Sequence, residues 1–148
     1  MPPLGKVDNP DKKDTAIKKY LRKVARFDNF LYFCAMIRKI RTYGGYFEAF
    51  MSTLKEKEQE KIQYGLLLLK TQHRLSKKFV KLIRDGIYEL RTEYGGNIYR
   101  VFFIFDDGQI VVLFNGFQKK TQKTPTNEIE KALKIKEAYY EDKQSQNR

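Results

Sequence analysis

"IYELRTEYGGNIYRVFFIFDDGQIVVLFNGF", residues 87–117, has a period of two and is interrupted at Gly95-Gly96 and at Asp107-Gly108. Alternation of this kind belongs to extended backbone, whose side chains point to opposite faces in turn. Gly-Gly and Asp-Gly supply the positive backbone angles that tight hairpins require. The stretch therefore predicts three antiparallel strands, "IYELRTEY", "NIYRVFFIFDD" and "GQIVVLFNGF".

Beyond the last strand, Thr124 and Pro125 read as an N-cap followed by proline at the first helical position. The helix expected from Thr126 to about Asp142 sets Ile129, Ala132, Leu133 and Tyr140 on one side, with Lys136 interrupting them. Upstream, Ile62, Leu66 and Leu69 recur at helical spacing between Thr53 and Gln72, and Thr53 with Glu56 reads as a capping box. A shorter helix, Tyr46 to Met51, is expected before it, and "MIRKIRTYGG" from Met36 opens like a short strand ending in a glycine turn. The order is strand, helices, meander, helix. It predicts an α+β fold, a small antiparallel sheet with N-terminal helices on one face and a C-terminal helix, the helices segregated on one face.

Residues 1–35 read as a basic N-terminal extension: a flexible start through residue 15, then a basic amphipathic helix over 16–34. Residues 36–148 form the main domain, and Met36 is an alternative start. At 148 residues one core and one site are expected.

Thirty Lys and Arg against 18 Asp and Glu leave a net charge of +12, which favours polyanionic partners. An aromatic content of 14% excludes a merely disordered basic tail. Cys34 is the only cysteine, so no intramolecular disulfide can form, and no Cys/His cluster offers itself to zinc. No cofactor is expected. The apolar stretch "NFLYFCAMI" falls short of a membrane span of roughly 18 residues, and a cytoplasmic protein is expected.

The strands carry the chemistry. Arg91 shares a face with Ile87, Glu89 and Glu93, and Arg100 with Ile98, Phe102 and Ile104. An arginine inside "IYRVFFIF" either pairs with a carboxylate such as Glu89 or sits where an anionic ligand reaches it. Lys119, Lys120 and Lys123 follow the third strand toward a helix start, as a solvated loop or as part of an anion site. A site made of cations suits RNA cleavage through the substrate's own 2′-hydroxyl, because fixed Arg and Lys groups stabilise charge gathering on the phosphorus centre. Phe117, Tyr88, Tyr94 and Tyr99 are candidates for base stacking or for core packing, and His73 reads as a surface residue near a helix end.

"KLIRDGIYELR", "GGNIYRVFFIFDDGQIVVLFNGFQKKTQKTP" and "EIEKALKIKEAYYED", in this order, resemble the RelE/ParE toxin superfamily, in its HigB-like, phage-derived branch. The resemblance runs from about Tyr46 to Asp142 and is densest from Lys81 to Pro125. It implies a RelE-like, microbial-ribonuclease-like fold and the toxin of a type II toxin–antitoxin system. That toxin would be a metal-independent mRNA interferase that cleaves mRNA on the ribosome, inhibits translation and arrests growth. The implied partners are the ribosome, mRNA and a helix-turn-helix, HigA-like antitoxin. By the same resemblance Arg91, Arg100 and Lys119 or Lys120 act on the scissile phosphate and Lys81 contacts the substrate, while Phe117, from its ring, and Lys123, from its place before the helix, are read as further RNA contacts. Glu89 departs from the RelE pattern, which often has a lysine there, so acid and base roles do not carry over. Two other readings stand beside this one: a ParE-like DNA gyrase inhibitor, and a non-catalytic basic RNA- or ribosome-binding module.

Overall fold

The computed structural model describes residues 37–120 and 123–147, so the expected extension over 1–35 and the Met36 start lie outside the described residues. Five strands and three helices follow in the order β1 (Lys39–Thr42), α1 (Tyr46–Ser52), α2 (Glu56–Thr71), β2 (Val80–Arg84), β3 (Ile87–Tyr94), β4 (Asn97–Asp106), β5 (Ile110–Lys119), α3 (Thr126–Gln146). The strands form one sheet in the order β1-β5-β4-β3-β2. The class is α+β, as the sequence predicts.

Three details differ from expectation. The sheet is mixed, because β1 runs parallel to β5 while the other neighbours are antiparallel. A fourth antiparallel strand, β2, precedes the meander, turned by Asp85 and Gly86 at φ 50° and 77°. Asp-Gly between two short apolar runs is itself a hairpin signal. Finally, the helices are not gathered on one face: α1 and α2 cover one side with Leu90, Val101, Phe103 and Leu113, while α3 covers the other with Phe102, Ile104, Val112 and Phe114. The strict alternation of β4 supplies both cores, which is why its interior is buried on each side.

Local chemistry fixes the helices. Helix α2 begins two residues later than the expected box: the Lys55 N–H donates to Glu58 Oε1 at 3.1 Å, while Thr53 Oγ1 donates to the Phe50 carbonyl. Ile62 and Leu69 are fully buried beneath it, each contributing about 2 kcal/mol of apolar burial. At the other end Arg38 answers the free carbonyls, donating through Nη1 to Leu69 and Gln72 and through Nη2 to His73. Gly65 sits mid-helix because the sheet is close: a Cβ there would lie 3.0 Å from Thr92 Cγ2. No helix among the described residues is long and apolar enough to cross a membrane.

At the far end of the α3 face, Asp106 is buried and accepts hydrogen bonds from Tyr139 and from Lys143 Nζ at 2.8 and 2.9 Å. Burial works against its charge, but these donors outweigh it and hold the carboxyl below its ordinary range. The cluster ties the last third of α3 to the sheet.

Candidate active site

Register builds the site. Arg91 on β3 is the direct cross-strand partner of Arg100 on β4, and Arg100 in turn faces Phe117 on β5. On the next row Lys81 of β2 faces Glu89 of β3, which faces Phe102 of β4. Paired residues point the same way, so Lys81, Glu89, Arg91 and Arg100 share one face.

Strand β5 joins them through a bulge. Leu113 pairs with Phe103 and Gly116 with Val101, so β5 spends one more residue than β4 between the two rows. One extra residue reverses the parity of everything after it. Phe117 and Lys119 therefore turn to the face of the arginines instead of the α1–α2 side, where Leu113 points. Two residues hold the bulge. Asn115 is buried and donates from Nδ2 to Glu128 Oε2 at 3.0 Å, fixing the first turn of α3, and Gly116 admits Phe50, whose Cδ1 would lie 2.2 Å from an added Cβ.

Arg100 is only 8% exposed. Its Nη1 donates to Glu89 Oε1, and the second oxygen of Glu89 accepts from Thr124 Oγ1 at 3.2 Å. Thr124 thus serves the site instead of capping α3, whose N-cap position is taken by Pro125 with no side-chain cap. Arg91 engages Glu93 through Nη2. In both guanidiniums Nε is buried and has no hydrogen-bond partner among the described residues. A buried N–H left unpaired costs about 1–3 kcal/mol, so two on adjacent cross-strand residues are a costly arrangement for the free protein.

The charges reinforce one another. Burial pushes the Arg100 pKa down, and the Arg91 charge adds to the depression against the pull of Glu89. Lys119 is lowered in the same way, first by burial and then by the charge of Arg100, with Arg91 and Lys81 contributing. These four cations therefore act on a common space. Chemically the arrangement offers oriented N–H donors for an anion and one lysine whose proton is loosely held.

Of the other expected residues, Phe117 packs against Phe102 with ring centroids 5.3 Å apart and is 9% exposed, so it floors the site and offers little ring surface. Lys120 and Lys123 lie exposed on the connection from β5 to α3. Tyr88 and Tyr99 belong to the opposite core: Tyr88 packs on Phe103, and the Tyr99 hydroxyl donates to Glu58, its pKa pushed up to about 12 by burial and that bond. Sequence reasoning missed Thr124 as a partner of Glu89, since a Thr-Pro pair ahead of a helix looks like a cap. It also missed the bulge, although Asn115-Gly116 inside an apolar strand is a signal for one. No group of three or more His, Cys, Asp or Glu side chains among the described residues is arranged to hold a metal ion.

A family model described as Phage derived protein Gp49-like (DUF891) matches residues 49–137, a span that holds Lys81, Glu89, Arg91, Arg100, Lys119 and Thr124. No curated protein matches the chain. The match takes in more than half of the 148 residues, and the chain belongs to the phage-derived Gp49-like family, a RelE-like toxin family of toxin–antitoxin systems.

Proposed function

We propose that the chain is the toxin of a type II toxin–antitoxin pair, of the HigB-like kind, and acts as a ribosome-dependent mRNA endoribonuclease. The observation that carries this reading is the Arg91–Arg100 pair, two cross-strand guanidiniums with buried, unpartnered Nε–H groups, beside a lysine of lowered pKa. The scissile phosphate fills that space in the working complex and takes up both Nε–H groups.

The reaction that fits is transesterification within the RNA. The 2′-oxygen bonds to phosphorus and the bond from phosphorus to the 5′-oxygen breaks, leaving a 2′,3′-cyclic phosphate and a 5′-hydroxyl. One proton leaves the 2′-hydroxyl and one reaches the departing 5′-oxygen, so no oxidant, reductant or further reactant is needed. Arg91 and Arg100 stabilise the negative charge that grows on the phosphoryl oxygens. Lys119, whose pKa burial and the neighbouring Arg100 charge push down, is assigned to the leaving oxygen. Both oxygens of Glu89 are engaged, and its assigned role is to hold Arg100. Lys81, Lys120 and Lys123 contact neighbouring phosphates, and Phe117 supports the row from below. The partners of this reading are the ribosome, mRNA and a HigA-like antitoxin, in the cytoplasm.

The test is brief induction in cells, followed by mapping of new 5′ ends on translated and untranslated forms of one transcript. Arg100→Ala alone leaves Glu89 buried and uncompensated, so the matching variant is Arg100→Ala with Glu89→Gln. Cuts confined to the translated transcript and lost in that folded double variant are the expected result. Growth arrest with transcripts intact overturns the reading in favour of gyrase inhibition or simple binding.

A further inference from the structure

From Lys61 to Arg84 the chain contains no Asp or Glu. Its exposed cations, Arg74, Lys77, Lys78, Lys81 and Arg84, lie ahead of β2 and on it. Arg84 is answered by Asp85 at 3.4 Å, while Lys77, Lys78 and Lys81 have no ion pair among the described residues.

Lys77 and Lys78 are presented by an anchored turn. The N–H groups of Phe79 and Val80 both donate to the Ser76 carbonyl, at 3.0 and 2.9 Å, and the Lys78 N–H donates to Ser76 Oγ at 3.3 Å. Phe79 packs into the α2-side core, which turns the two lysines outward. The Arg91 N–H donates to the Phe79 carbonyl at 2.8 Å, so the turn is bonded directly to the strand segment that carries Arg91. With strands about 4.8 Å apart, the line of β2 lies roughly 10 Å from Arg100 across the sheet. Lys81, on the face of Glu89 and Arg91, bridges the interval.

We infer that the Ser76–Phe79 turn is a second RNA-backbone contact, in which Lys77 and Lys78 hold phosphates of a single strand outside the bond that is cut. This inference rests on the RNA-cleaving reading above and extends it: the strand crosses from Lys119 over Arg100 and Arg91 and leaves over the β2 edge. Charge selects the occupant. The lysines continue a row that is itself built for phosphate, they make no ion pair among the described residues, and a polyanion gains from each added contact by releasing counterions.

The test measures binding of the full-length chain to non-cleavable 2′-O-methyl single strands, a dinucleotide and a strand of about a dozen nucleotides, across a salt series. Lys77→Gln with Lys78→Gln is expected to weaken the long strand about tenfold at low salt and to flatten the salt slope by about 1.4, the value for two lost contacts to a single strand. Dinucleotide binding stays as it is. An unchanged affinity and slope for the long strand overturns the inference. So does unchanged RNA binding together with lost binding of an acidic partner protein, which assigns the turn to a protein contact. Failure of the underlying reading looks different: Arg91→Ala with Arg100→Ala and Glu89→Gln, which leaves no buried carboxylate without its cation, would then bind both RNAs as the unaltered chain does, and both proposals fall.

Discussion

The two ends of the sheet face beneath α3 treat buried charge in opposite ways. At the Asp106 end the buried charge is answered: Tyr139 and Lys143 donate to the carboxylate, which sits below its usual pKa as a stabilised ion should. At the Arg100 end four cations share one buried carboxylate, the pKa values of Arg100 and Lys119 are pushed down, and two guanidinium N–H groups find no partner among the described residues. The first arrangement adds stability. The second gives some up, and charge kept against stability marks where a ligand is expected.

That contrast can be broken residue by residue. The largest effect is expected from Arg100→Ala combined with Glu89→Gln, which removes one donor to the phosphoryl oxygens and the buried carboxylate with it. Cleavage should fall by about 10²–10³ while the circular dichroism spectrum and Tm stay near those of the parent chain. Arg100→Ala alone should lose activity and Tm together, because Glu89 is 1% exposed and would lose the only cation hydrogen-bonded to it among the described residues. Lys119→Met comes next, with cleavage down by about a hundredfold and Tm unchanged or higher, since a lysine of depressed pKa works against folding at neutral pH. A clear drop in Tm would contradict the assignment of Lys119 to the strained end.

The Asp106 end should answer in the reverse sense. Asp106→Asn is expected to cost about 2 kcal/mol of stability, read from urea unfolding, with cleavage by the folded fraction unchanged at low temperature. Because its pKa is lowered on folding, the stabilisation from Asp106 is present above the unfolded carboxylate pKa and is lost as pH falls below about 4. The smallest effect lies at high pH. Tyr43, Tyr99 and Tyr139 keep their protons to about 12 in the folded chain, through hydrogen bonds to carboxylates and burial. Their contribution is therefore complete below pH about 10 and disappears between about 10 and 12, and Tyr99→Phe should shrink that alkaline loss.

Much of the fold could be read because periodicity reports burial directly. The meander, both expected helices before it and the C-terminal helix are each present. Strand β2 escaped because "VKLIR" is short and ends in an irregular pairing with β3, although Asp85-Gly86 announced its turn. The side of the sheet taken by α3 was not readable either, since β4 is apolar on both faces and gives no preference. In the site, Arg91 and Arg100 were placed on their correct companions by simple alternation. Lys119 was assigned from its position after the strand, but what brings it to the arginines is the bulge at Asn115 and Gly116, a tertiary fit around Phe50 and Glu128. Thr124 was misread for a physical reason: a hydroxyl ahead of Pro125 can cap a helix or reach a carboxylate, and only the position of Glu89 decides between them.

The most direct test of the central claim follows the Nε–H groups themselves. In the arginine side-chain ¹⁵N spectrum of the full-length chain, titration with a non-cleavable 2′-O-methyl RNA should move the Nε–H signals of Arg91 and Arg100 together, with Arg38 unaffected. If both signals stay in place while RNA binds, the paired arginines are not the phosphate site and the account fails.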